Sequence, residues 1–121
     1  FNEGFRPMSI ELEAFPRDGM TVVVVKGEID GSSAPKLQEK ILPLLQNDSA
    51  LVLDLGAVSY MSSAGLRMLL LLYRHAASHN GRVAIAGLAE SIRDTMEITG
   101  FLKFFTVANS VDEALQTLKK G

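Results

Sequence analysis

The sequence predicts a single α/β domain, a mostly parallel mixed sheet with an N-terminal β-hairpin packed with about four helices. Three observations carry this. Short β-branched or aliphatic runs alternate with stretches whose apolar residues recur at helical spacing. The first two apolar runs are separated only by Pro16-Arg17-Asp18-Gly19, a turn sequence in which Gly supplies the positive φ. The 121 residues suffice for one core and fall short of two.

Residues 9–15 alternate polar and apolar, the pattern of a half-buried strand. Residues 20–29 contain Val22-Val23-Val24-Val25, a β-branched run suited to a strand buried on both faces. These two strands form the expected hairpin. Ser32 or Ser33 can cap the next helix, with Pro35 in its first turn. Leu37, Ile41, Leu44 and Leu45 follow at helical spacing, and Pro43 should kink or shorten that helix. Asn47-Asp48-Ser49 closes it.

Residues 50–55 are the next strand. A long helix over about 64–79 ends at the stop signal Asn80-Gly81. Residues 82–86 read as a strand and 90–99 as a helix with Ile92, Met96 and Ile98 apolar, stopped by Gly100. A short strand over 104–107 precedes a last helix, capped by Ser110, with Asp112 and Glu113 favourable in its first turn. Val111, Ala114, Leu115 and Leu118 form its apolar face. The β-β-α-β-α-β-α-β-α order implies right-handed crossovers, with the carboxyl ends of the parallel strands on one edge. The connections 30–33, 56–63 and 87–89 should converge there and bring Asp30 near Ser62-Ser63.

Hydrophobic residues at 47% and charged residues at 21% fit a globular chain. A net charge of −2 gives no basic footprint, so no direct DNA binding is expected. The absence of cysteine excludes disulfides, zinc–thiolate sites and thiol chemistry, and is compatible with the cytoplasmic location we expect. The longest apolar run, 68–73, is far short of the roughly 18 residues of a spanning helix, so no membrane insertion is expected. The opening residues lack the pattern of a signal peptide. Phe1 to Pro7 reads as a prefix ahead of Met8, so residues 1–8 are expected to be a tag or disordered N-terminus and 9–119 the domain.

The chemistry centres on Ser62-Ser63, between an apolar strand and an apolar helix. A helix start offers free N–H groups and the positive end of the helix dipole. One serine can be the N-cap and nothing more. The other reading is a phosphoacceptor, since phosphate is electrostatically welcome there. A catalytic nucleophile is disfavoured. Met61-Ser62-Ser63-Ala64-Gly65 is not a Gly-x-Ser-x-Gly elbow. His79 lies sixteen residues along the same helix from Ser63, roughly 24 Å at 1.5 Å per residue. His75 and His79 read as a solvated helix end rather than a metal pair, Asp54 as a strand-end residue and Asp30 as a turn or cap acid. Arg17, Arg67, Arg74, Arg82 and Arg93 read as solvated surface. Neither a dinucleotide fingerprint nor a P-loop occurs. No cofactor, metal or catalytic residue is expected.

Three segments carry a family resemblance. Gly27-Glu28-Ile29-Asp30, followed by Ser33-Ala34-Pro35 and Leu37, resembles the Gly-Glu-hydrophobic-Asp segment of bacterial anti-sigma factor antagonists, which are single-domain STAS proteins. Asp54-Leu55, Val58-Ser59-Tyr60-Met61, Ser63 and Gly65-Leu66 resemble that family's phosphorylation segment. Ile98-Thr99-Gly100-Phe101 resembles a late family segment, and the likeness runs from about residue 9 to 118. It implies a STAS-like fold with Ser63 at the phosphoacceptor position. Ser62 stands where the family commonly has Asp and is a competing acceptor; Ala64 stands where a second hydroxyl residue is usual.

The resemblance further implies partner switching. The unphosphorylated chain would bind an anti-sigma factor that is also a serine kinase, releasing a sigma factor. Phosphorylation at Ser63 would break that complex, and a serine phosphatase would restore binding. The chain would be substrate and ligand, not enzyme, and a monomer when free. Expected partner-binding residues are Asp30, Ser32 and Ser33 from one segment, and Met61, Ser62, Ala64, Gly65 and Leu66 from the other. The alternative is a non-enzymatic STAS subunit of a larger signalling or lipid-transport complex. A small-ligand or nucleotide domain and a minor enzyme are further readings.

Overall fold

The computed structural model describes residues 10–120. The expected prefix lies outside them. Strands β1 (Glu11–Arg17), β2 (Met20–Ile29), β3 (Ala50–Met61), β4 (Arg82–Ala86) and β5 (Thr106–Ala108) alternate with helices α1 (Ala34–Ile41), α2 (Ser63–Ser78), α3 (Glu90–Ile98) and α4 (Val111–Lys120) in the expected order. The sheet runs β1-β2-β3-β4-β5, with β1 antiparallel to β2 and the other pairs parallel.

The hairpin turn is tighter than expected. Asp18 (φ 56°) and Gly19 (φ 79°) form a two-residue turn whose twist matches the flanking strands. β1 therefore runs on through Pro16 and Arg17, and Pro16 is tolerated because β1 is an edge strand. β1 is mostly exposed rather than half-buried: Leu12 alone of its side chains is partly covered, packing on the larger core.

The valine run of β2 is divided between two cores, as its composition predicts. Val23 and Val25 join Leu51, Leu53, Leu55, Val83 and Ile85 on the face covered by α1, α2 and α3. Val22 and Val24 join Val52, Ala84, Ala86 and Ala108 on the face covered by α4. That second face is paved with alanines, so α4 seats closely through Ala114, Leu115 and Leu118. Arg17, read as solvated from sequence, ion-pairs with Asp112, and Arg82 donates to the Leu118 carbonyl. Both contacts tie α4 to the sheet. Pro43 ends α1 as expected, and the chain continues as a 3₁₀ turn, Leu42–Leu44.

Two further boundaries differ from expectation. β5 begins at Thr106, because Phe101, Leu102 and Phe105 pack on the larger core from a 3₁₀ turn, Leu102–Phe104, instead of extending. β3 runs to Met61 rather than Leu55. It pairs with β4 only over Ala50–Asp54 and then continues against β2 alone as far as Met61 opposite Ile29. Two register shifts give β3 an extra residue each time. Such bulges bend and twist a strand, and the shifts leave Val58 and Met61 facing the core while Gly56, Ala57, Ser59 and Tyr60 are exposed. Gly27 takes φ 119° beside the second shift.

This extension positions the start of α2. A Cβ on Gly65 would lie 2.7 Å from Met61 Cγ and 2.8 Å from Ile29 Cγ2. The bare Cα of Gly65 is thus what lets the helix sit on the ends of β2 and β3. Ile29 is β-branched and wholly buried, so it has little room to yield. Gly65→Ala should cost about 1–3 kcal/mol of unfolding free energy by overpacking. Urea denaturation would measure it, and a loss within error of zero would contradict the close approach.

Candidate functional site

The site is built where β3 becomes α2. A single residue, Ser62, joins them. Its N–H donates to the Ile29 carbonyl at 2.8 Å, adding one more rung to the β2–β3 pairing. Its backbone is extended (φ −84°, ψ 176°), and its Oγ accepts from the Gly65 N–H at 3.3 Å. Ser62 is therefore the N-cap, the position left open between the two serines. Ser63 is the first helical residue and is exposed. Its hydroxyl makes no hydrogen bond with another described residue. The two hydroxyls thus differ in kind, one committed to the backbone and one free.

Asp30 is brought beside this junction, as expected. It follows Ile29, whose carbonyl holds Ser62. The capping of α1 differs from the sequence reading. Ser33 occupies the N-cap position but makes no side-chain cap. Asp30 instead caps the turn 31–33 that leads into α1: its Oδ1 accepts from the Ser32 N–H at 2.9 Å, the Ser33 N–H at 3.0 Å and the Ser32 hydroxyl at 2.9 Å. Ser33 is buried, donating to the Glu28 carbonyl at 2.8 Å and accepting from the Asp30 N–H at 2.9 Å. It locks the turn from inside. The bonds to Ser33 N–H, then to the hydroxyl and N–H of Ser32, hold the Asp30 carboxyl below its ordinary range. The available signal was Asp30 two and three residues before Ser32 and Ser33, the spacing of an Asx turn.

The third connection meets the second at its start, where a Cβ on Gly87 would lie 3.1 Å from the Gly56 Cα. Gly87 follows β4, and β4 stops opposite Asp54, seven residues before Met61. Asp54 is consequently a mid-strand residue, accepting from the Gly56 N–H at 3.0 Å, and not a strand-end acid. It is α3 that reaches the junction. Ser91, Ile92 and Thr95 line a groove of about 220 Å³ with Ser59, Tyr60, Met61 and Leu66. Met61, Leu66 and Gly65 are buried, so of the expected partner-binding set only Asp30, Ser32, Ser62 and Ala64 are partly or fully accessible. Sequence reasoning missed this groove because it placed 56–61 in a loop.

His75 and His79 stack at 4.3 Å between ring centroids in the far end of α2, with His79 Nδ1 at 2.9 Å from the His75 carbonyl oxygen. No group of three or more metal-ligating side chains occurs among the described residues. No helix among them is long and apolar enough to cross a membrane.

Fold and junction together define a small α/β module that presents a free hydroxyl on a rigid strand-to-helix corner. The STAS domain family matches residues 10–114, and the chain belongs to it. BtrV of Bordetella bronchiseptica, provisionally named an anti-sigma factor antagonist, is 34% identical over 103 residues, 84% of this chain and 89% of BtrV. An anti-sigma factor antagonist from Mycobacterium paratuberculosis has a similar crystal structure (TM-score 0.82, 32% identity, 92% of this chain and 95% of that one). The Bacillus antagonist SpoIIAA, solved unphosphorylated and phosphorylated, shares the fold at TM-scores of 0.73 and 0.67 and 17% identity. Those alignments cover 93% and 91% of this chain, and 98% and 99% of the SpoIIAA chains.

Two outcomes follow from the geometry. Ser62→Ala should cost about 1 kcal/mol through the lost cap, whereas Ser63→Ala should stay within about 0.5 kcal/mol of wild type in chemical denaturation. Equal effects would contradict the assignment of the cap. A depressed Asp30 carboxyl stabilises the fold above the ordinary Asp range, and that contribution is lost as pH falls through its lowered value. In an NMR titration the Asp30 carboxyl should have its midpoint below about 3.9, and Asp30→Asn should reduce the acid-side loss of stability.

Proposed function

We propose that this chain is an anti-sigma factor antagonist that acts by partner switching, with Ser63 as the switch. The observation that carries the reading is the free, exposed Ser63 hydroxyl at the first position of α2, on a junction fixed from β2, β3 and α1. The names of the relatives support the class of activity, and SpoIIAA supports phosphorylation as a chemistry this fold accommodates.

In the unphosphorylated state the chain binds an anti-sigma factor that is also a serine kinase, and a sigma factor is released. The kinase transfers the γ-phosphoryl of ATP to Ser63 Oγ, giving phosphoserine and ADP. The new group carries about −1.5 to −2 charge and three acceptor oxygens. At a helix start the domain tolerates it, but a partner packed there meets unpaired charge and desolvation, and the complex separates. A serine phosphatase restores the binding form. Ser62 is a poor competing acceptor because its oxygen caps the helix and its residue is half-buried. The chain itself catalyses nothing in this cycle: its two histidines lie in the last turns of α2, remote from Ser63.

Incubation with the cognate kinase and ATP should add one phosphate, located at Ser63 by mass spectrometry and absent from Ser63→Ala. Ser63→Asp should bind the kinase at least about tenfold more weakly by calorimetry, equivalent to about 1.4 kcal/mol. Full labelling of Ser63→Ala, or undiminished affinity of Ser63→Asp, would reject the switch.

A further inference from the structure

We propose that Arg67 is the built-in counter-ion of a phosphate on Ser63, an intrahelical clamp that holds the modified state. The inference rests on Ser63 as the modified residue and adds a second residue to that site.

Ser63 and Arg67 stand four apart on α2, so their Cβ atoms lie about 6 Å apart on one face of the helix. Helical side chains lean towards the N-terminus, which carries the Arg67 side chain back over the turn that Ser63 begins. Both residues are exposed. The ion pairs among the described residues are Arg17–Asp112 and Lys119–Asp18, and Arg67 is in neither. Arg67 instead helps line a groove between α1 and α2, with Pro35, Gln38, Ala64 and Leu71.

The surrounding charges leave this pairing open. The first turn of α2 contains no acidic residue, and its cap is the neutral Ser62. Asp30 is the acid contributed by the neighbouring connection, and its Oδ1 is committed to Ser32 and Ser33. α1 lines the shared groove through Ala34, Pro35 and Gln38, while Lys36, Glu39 and Lys40 are not among the lining residues. Arg74 follows Arg67 by seven residues on the same stripe, adding positive charge further along. A phosphate on Ser63 therefore has Arg67 one helical turn away, and a guanidinium can grip two of its oxygens at once. Modification would draw Arg67 from the α1–α2 groove towards the helix start, so a partner seated in that groove loses a contact as it gains a charge.

The test places phosphoserine at position 63 of the full chain during translation, which bypasses any kinase, and follows its ³¹P NMR signal against pH. The second ionisation lies near about 6 in a free phosphoserine. It should fall about 0.15–0.4 pH unit lower in wild type than in Arg67→Gln, the size expected of an i,i+4 charge pair. Arg67→Lys should recover part of the shift, and 1 M salt should remove most of it. A change in fold would move the amide spectrum as a whole, so the ¹H–¹⁵N spectrum of each variant separates structural damage from loss of the pair. Equal midpoints in wild type and Arg67→Gln would overturn the clamp while leaving the switch intact. A kinase that ignores Ser63 would reject the switch without altering this titration.

Discussion

The seating of the α2 start on the end of β2 is the contact on which the rest of the site depends. It needs Gly65, since any Cβ there meets Ile29 and Met61 below 3 Å. It needs β3 to outrun β4, which the two register shifts accomplish while keeping Val58 and Met61 in the core. Once helix and strand are in contact, the Ser62 N–H finds the Ile29 carbonyl and its hydroxyl finds Gly65. Ser63 is then directed outward by helical geometry rather than by any contact of its own. The free hydroxyl is a by-product of how tightly its neighbours are held.

The two helix starts at this corner solve the same electrostatic problem differently. The turn leading into α1 is supplied with an anion, the Asp30 carboxylate, which satisfies the Ser32 and Ser33 N–H groups and the Ser32 hydroxyl. α2 is capped by a neutral serine and has no acid in its first turn. Negative charge added to α1 would repel a carboxylate already in place; added to α2 it would complete an unfilled requirement. The asymmetry lies in the sequence, one Asp against one Ser, and it assigns a resting role to one helix start and a responsive role to the other.

Much of this was legible in the sequence. The valine run, the Asp-Gly turn, Pro43 and the helix stop at Asn80-Gly81 gave the order of elements, because each is a local signal that the tertiary structure did not override. β3 was the exception. Gly56-Ala57 looks like the end of a strand, and only pairing with β2, a contact some thirty residues distant in sequence, carries the strand onward to Met61. The same long-range dependence hid the groove beside α3. The cap could not be assigned between Ser62 and Ser63, since that rests on a one-residue difference in where the helix begins. Asp30 was legible as a turn or cap acid, but the inward turn of the Ser33 hydroxyl to the Glu28 carbonyl was not.

Only Ser62 separates β3 from α2, so this corner has no slack. One added residue would turn the helix by about 100° and advance it about 1.5 Å. Gly65 would leave Ile29, and the outward-facing serine would be carried round towards the core. The address of the hydroxyl is thus written in the length of the backbone more than in the residues beside it. Insertions and deletions between Met61 and Gly65 should therefore be absent from any working version of this corner.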